Sequence, residues 1–317
     1  MVVSSSQEPQ AARSVLMVRP ARFGPNPATA DSNAFQARSV AEPIIAIRER
    51  AAQEFDALAA ALAGAGVDVC VVNDTTELEK PDAIFPNNWV SFHADGTVVL
   101  YPLLAPNRRW ERRLDVLERL VSRHGFRIGQ TIDLSAHENS GQYLEGTGSL
   151  VLDRTHRLAF AALSPRTQLD ALGDFAQRLD YEIVSFEAFD PQRVAIYHTN
   201  VLLCVGERFA VLCSQCIADE ARRAAVTQIL ENSGHEVIDI TLQQMAAFAG
   251  NMLELENRSG GKIIAMSASA QHSLDAAQRV RLERHGTIVA VPIPTIEKYG
   301  GGSVRCMLAE IHLPRRP

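Results

Sequence analysis

The sequence predicts one α/β domain built as a ring of five repeated units around a central channel, and three observations carry that prediction. Hairpins of two short apolar strands recur at intervals of about 50 to 60 residues, longer than the repeats of common solenoids. Each hairpin is followed by a helical stretch and then by a further strand. The two ends of the chain supply the missing halves of a fifth such unit, so the ring closes on its own termini and leaves no uncapped sheet edge.

Taken in order, the first full unit is "NNWVSFHADGTVVLYPL", with Asp95-Gly96 at the turn, a helix over about 107–124 and the strand "TIDLS". The second is "GSLVLDRTHRLAFAALSPRT", a helix to about 178 and "YEIVSF". The third is "HTNVLLCVGERFAVLCSQC", a helix to about 233 and "HEVIDI". The fourth is "GNMLELENRSGGKIIAMSASA", a helical stretch and "GTIVAVPI". In the fifth, "CMLAEIHL" pairs with "SVLMVRP" from the other end of the chain. A long helix over about 41–65 and the strand "VDVCVVN" complete it. Residues 1–13 read as a disordered lead-in without the apolar stretch of a signal peptide, and residues 14–317 as one domain.

Composition narrows the function. The chain of 317 residues is 46% hydrophobic and 21% charged, enough for a sizeable core. A net charge of −6 argues against nucleic acid or an anionic membrane as partner, and no apolar run is long enough to span a bilayer. Five cysteines without framework spacing suit a reducing, cytoplasmic location. Cys213-Ser-Gln-Cys216 has no second pair to make a zinc site, and reads as two small residues at a strand-to-helix junction. No H-E-x-x-H or H-x-H occurs, so a metal enzyme is disfavoured.

If the units are equivalent, the short polar segment that precedes each hairpin faces the axis. These segments are "PDAIFPNN", "YLEGTG", "YHTN", "AGN" and "GGGSVRC". They bring together Asp82, Asn87, Asn88, Glu145, His198, Asn200, Asn251 and Cys306. A cysteine, a histidine and a carboxylate in one pocket form a set for covalent catalysis. Each residue also has a plain structural reading: Cys306 as a small core residue, His198 as a strand-end histidine, Glu145 as a turn cap, Asn87-Asn88 as loop chemistry. Their shared phase in the repeat favours the functional one. The glycines before Cys306 are not followed by the Lys and Ser or Thr of a phosphate cradle.

The arrangement resembles the pentein, or amidinotransferase, superfamily. "GGGSVRCM" is similar to its nucleophile loop, "LEGTG" to its Glu-Gly-Gly segment and "YHTN" to its His-x-Asp segment. "PDAIFPNN" resembles the Pro-Asp-x-Val-Phe-x-Glu-Asp stretch of the dimethylarginine hydrolases, and "APNRRWE" and "LSPRT" resemble their arginine-bearing segments. The resemblance spans about residues 14 to 313 and implies a five-bladed α/β propeller. It implies Cys306 as nucleophile, His198 as general acid then base, and Glu145 orienting His198 and steadying its charged form. Asp82 would hold the substrate's α-amino group, and Arg108 and Arg166 its α-carboxylate. No metal or organic cofactor is implied, the partner is a small amino acid, and a homo-oligomer is permitted but not specified.

The departures from the pattern bear on substrate. Asn88 and Asn200 stand where most relatives have carboxylates that grip a guanidinium. A neutral ureido group needs no counter-charge and can use an amide's donor and acceptor together. The chain therefore resembles most the citrulline utilization hydrolases, with citrulline giving ornithine, carbon dioxide and ammonia. Arginine dihydrolase, dimethylarginine dimethylaminohydrolase and amidinotransferase activities are the alternatives, and a non-catalytic ring like the ribosome-binding penteins is a distant one.

Overall fold

A computed structural model describes residues 8–316 apart from 38, 40 and 41. Five three-stranded sheets stand where the five units are expected. All five share one internal order. Two strands form an antiparallel hairpin, and a third, reached through a helical crossover, runs parallel to the second. In the first unit Val90–Phe92 pairs with Thr97–Leu100, Val90 facing Leu100, and Gln130–Asp133 adds in parallel. The pattern repeats in Val151–Asp153, Leu158–Leu163 and Glu182–Glu187. Leu203–Val205, Phe209–Leu212 and Glu236–Asp239 make the third sheet, and Leu253–Glu256, Lys262–Ser267 and Thr287–Val291 the fourth. The termini make the fifth: Ser14–Arg19 is antiparallel to Ala309–Ile311 and parallel to Asp68–Asn73.

The middle strand of each sheet is covered on both faces, which is why Thr97–Leu100 and Phe209–Leu212 are buried throughout and read as unbroken apolar runs. At the first hairpin Gly96 takes φ +90°, the left-handed region that glycine enters without penalty, and Asp95 accepts from the Thr97 backbone N–H. Outside the sheets, Ile44–Gly64 lays Ile47, Ala51, Phe55, Leu58 and Leu62 inward at helical spacing, as expected.

Two expected helices are divided. The stretch over 107–124 is a 3₁₀ segment, Pro106–Glu111, followed by the helix Leu114–His124. The break turns Arg108 and Glu111, one 3₁₀ turn apart, into the interior, where they pair. The helical stretch of the fourth unit divides at Leu274 into Ala268–Ser273 and Ala276–Glu283. Asp275 and Gln278 form a capping box that starts the second helix afresh. The Cys213–Cys216 pair sits where a strand meets a 3₁₀ turn, both side chains buried.

The short first strands of adjoining units neighbour one another and line the axis. Beyond the strand entrances the expected channel is filled. Arg154 pairs with Glu8 at 2.8 Å and Arg305 with Glu310 at 2.7 Å, all buried. Gln10 donates to the carbonyls of Leu152 and Val205 and accepts from the Arg154 backbone N–H. This corrects the expectation of disorder over 1–13, since residues 8–12 form part of the packed domain. Gln10 is a polar residue whose partners come from distant units, which no local pattern announces. The first seven residues lie outside the described residues. No described helix is long and apolar enough to cross a membrane.

Candidate active site

Four short turns bring the reactive residues to one end of the axis: Pro86–Asn88, Gly146–Ser149, Thr199–Val201 and Val304–Met307. Each precedes the first strand of its unit, so ring topology converges residues that lie far apart in sequence. The cavity between them is lined by Asp82, Asn88, Arg108, Arg166, His198 and Cys306, with Phe85, Tyr197, Asn33 and two glycines completing its wall.

His198 Nε2 lies 2.8 Å from Glu145 Oε2, with both side chains buried. Burial pushes the His198 imidazole down to about 4, against the pull of Glu145 in the other direction, so it is neutral at physiological pH. Burial would raise the Glu145 carboxyl, but Arg166, the His198 hydrogen bond and Arg108 outweigh it and hold it well below the usual carboxylate range. Gly148 makes this pairing sterically feasible. A Cβ there would lie 2.5 Å from Asn88 Nδ2 and 2.7 Å from His198 Nδ1.

The Cys306 sulfur faces two amides, Asn251 Nδ2 at 3.3 Å and Asn200 Nδ2 at 3.6 Å. The orientation of Asn251 is fixed by its surroundings. The Arg305 backbone N–H can only donate, so the atom it meets at 3.1 Å is Oδ1. The amide nitrogen then faces the Asn200 carbonyl at 2.8 Å and the sulfur. Two side-chain amides thus face one sulfur, with the Asn251 amide placed to donate to charge that develops there during reaction. The phase of the repeat places Asn251 at the axis, but only this geometry shows what its amide touches.

Asp82 has one oxygen held by Asn26 Nδ2 at 2.8 Å, while Oδ1 is buried without a partner, a free acceptor on the cavity wall. The arginines are less free than expected. Arg108 makes a two-pronged pair with Glu111 at 3.0 and 2.9 Å, donates to Asn88 Oδ1 at 3.0 Å and reaches Glu145 at 3.4 Å. Burial opposes its charge, but Glu111, Asp82 and Glu145 outweigh that cost and keep it a cation. Arg166 donates to Ser32 Oγ and the Thr29 carbonyl, and lies over the Tyr197 ring. Asn88 likewise spends its oxygen on Arg108 and donates from Nδ2 to Asn87 Oδ1, whereas Asn87 Nδ2 is buried without a partner.

Sequence reasoning missed the segment that roofs the cavity. Asn26 bonds Asp82 and Asn107, Asn33 donates to the Gly300 carbonyl, and Ser32 meets Arg166. The signal was present in the stretch between Arg19 and Ile44, too long and too rich in Pro and Asn for a simple strand-to-helix connection.

Comparison with known proteins accords with this architecture. A family model described as N,N dimethylarginine dimethylhydrolase, eukaryotic, matches residues 19–313. No curated protein sequence matches. Among solved structures, the N-terminal domain of ArgZ, an arginine dihydrolase of the ornithine–ammonia cycle in Cyanobacteria, is 18% identical. The alignment has a TM-score of 0.70 and covers 94% of this chain and 97% of that one. AgrE with L-arginine is 19% identical with a TM-score of 0.72, covering 96% of this chain, which spans 40% of that protein. A dimethylarginine dimethylaminohydrolase carrying an S-methyl-L-thiocitrulline adduct is 15% identical, with a TM-score of 0.64 and coverage of 95% and 100%.

Proposed function

The chain belongs to the N,N dimethylarginine dimethylhydrolase family of penteins, hydrolases of arginine-related compounds, and from that premise we propose that it hydrolyses the ureido group of citrulline, giving ornithine, carbon dioxide and ammonia. The observation that carries this reading is the pair of neutral amides, Asn200 and Asn251, against the Cys306 sulfur. A reacting carbon bound over that sulfur meets dipoles rather than carboxylates. A ureido oxygen can accept from an amide N–H, which a guanidinium, having only donors, cannot do.

In this reading Cys306 attacks the ureido carbon and its proton passes to neutral His198. The imidazolium so formed is stabilised by Glu145 and protonates the departing nitrogen. His198 then takes a proton from water, which cleaves the S-carbamoyl intermediate, and the carbamate released breaks down to carbon dioxide and the remaining amine. Asp82 Oδ1 receives the substrate's ammonium group. Arg166 meets the carboxylate, together with the Nη1 of Arg108 that its protein partners leave partly free.

Arginine is the second reading, and a specific observation favours it. Asp82, Glu111 and Glu145 stand against Arg108 and Arg166, three carboxyls to two guanidiniums, and burial pushes the Glu111 carboxyl up to about 7, so a bound guanidinium would help keep all three ionised. Ammonia and ornithine release measured side by side decides between them. Citrulline turnover giving one ammonia per ornithine supports the proposal. Faster turnover of arginine, with two ammonia per ornithine, replaces it.

A further inference from the structure

On the face of the ring away from the cavity, two histidines and a carboxylate converge. Asp153 ends the strand Val151–Asp153, His156 lies in the turn that follows, and His235 directly precedes Glu236–Asp239 in the next unit. His156 Nδ1 and His235 Nε2 point at the same Asp153 oxygen, at 2.9 and 2.8 Å. One ligand atom from each residue falls within 4.8 Å of the others. We propose that Asp153, His156 and His235 bind one divalent transition ion of the zinc class, which ties the second unit of the ring to the third.

The donor set is the reason. Two imidazoles and one carboxylate suit zinc better than calcium or magnesium, which take oxygen ligands. Around a tetrahedral zinc with bonds near 2.0–2.2 Å, ligand atoms stand about 3.3 Å apart. The two nitrogen-to-oxygen spacings are a few tenths of an ångström shorter than this and the two nitrogens stand no more than 4.8 Å apart, so a modest adjustment seats the ion as it replaces two N–H···O bonds. His156 can make that move, because its side chain is 42% exposed whereas those of Asp153 and His235 are 1% exposed. Its exposed side also leaves the fourth coordination position to water. The sequence hid this site because its ligands come from two units and match no contiguous zinc motif.

The test titrates zinc into metal-stripped protein carrying Cys306→Ser, so that the cavity thiol cannot compete, and follows both binding heat and Tm. One ion per chain and a Tm that rises with zinc concentration are expected. Adding His156→Ala should weaken binding at least tenfold. In the otherwise unmodified enzyme, the same substitution should leave citrulline and arginine turnover unchanged. The proposal is overturned if zinc does not saturate at millimolar concentration. It is equally overturned if His156→Ala binds as before while Cys213→Ser or Cys216→Ser abolishes binding. These outcomes do not depend on which substrate the cavity takes.

Discussion

At the residue scale the sulfur of Cys306 and its two amide neighbours carry the chemistry. Cys306→Ser should fold with an unchanged circular dichroism spectrum yet lose turnover by more than about a hundredfold, because a hydroxyl is far less acidic and less nucleophilic than a thiol in the same place. Asn251→Ala removes the nearer donor to the sulfur. Alkylation of Cys306 by iodoacetamide at neutral pH should slow by about tenfold, the effect of one missing hydrogen bond to a charged group. An unchanged rate would mean that the amide only supports the loop. Substrate preference is best probed at Asn200. A carboxylate at Asn88 would simply pair with Arg108, which already holds that oxygen, whereas Asn200 touches the nucleophile. Asn200→Asp should lower the kcat/KM ratio of citrulline to arginine by about tenfold or more, the worth of one mispaired polar contact. A ratio that does not move would remove the neutral-substrate argument.

At the element scale, the four-residue turn Gly146–Ser149 holds Glu145 at its start and packs against both Asn88 and His198. Gly146 takes φ +49° with the Asn87 carbonyl close behind it, so no side chain fits there. Gly148 has no such backbone constraint and is the more informative position. A methyl group added at Gly148 would displace the imidazole and the Asn88 amide together. Gly148→Ala should therefore cost about 1–3 kcal/mol of stability as overpacking, and reduce kcat more than it raises KM. Equal kcat in a destabilised variant would show that His198 need not stay where it stands. The division of the expected 107–124 helix belongs to the same scale. Helical periodicity continues through Arg108 and Glu111, and only the buried carboxylates around Arg108 account for its 3₁₀ start.

For the whole molecule, burial of histidines sets an acid limit. His198, His93 and His312 are all pushed below their ordinary value by burial. A histidine that resists protonation only in the folded state contributes fully above its unfolded pKa of about 6.5, and its contribution fades as pH falls toward the folded value. For His198 the window runs from about 6.5 down to about 4, and the shift corresponds to roughly 3 kcal/mol. Glu145, held low, adds to the loss below the ordinary carboxylate range. Stability to urea should therefore fall steadily from pH 7 to pH 4, and His198→Gln should flatten part of that slope. A profile that is level between these pH values would contradict the buried, neutral histidine.

The repeat alone determined the ring. Period-2 hairpins, tight turns such as Asp95-Gly96 and amphipathic crossovers such as Ile44–Gly64 are local, and local patterning is what a sequence exposes. The same phase argument brought Cys306, His198, Glu145, Asp82 and the asparagines to one end of the axis, because equivalent positions in a closed ring must face one centre. Which atoms touch was decided only in three dimensions. The commitment of Arg108 to Glu111, the capture of Arg166 by Ser32 and Thr29, and the hydrogen bonds of Gln10 to two distant strands depend on side chains that share no periodicity. Their partners lie up to 195 residues away. Buried polar groups must find partners wherever the fold brings them, and that search is settled by the closed ring rather than by any stretch of chain.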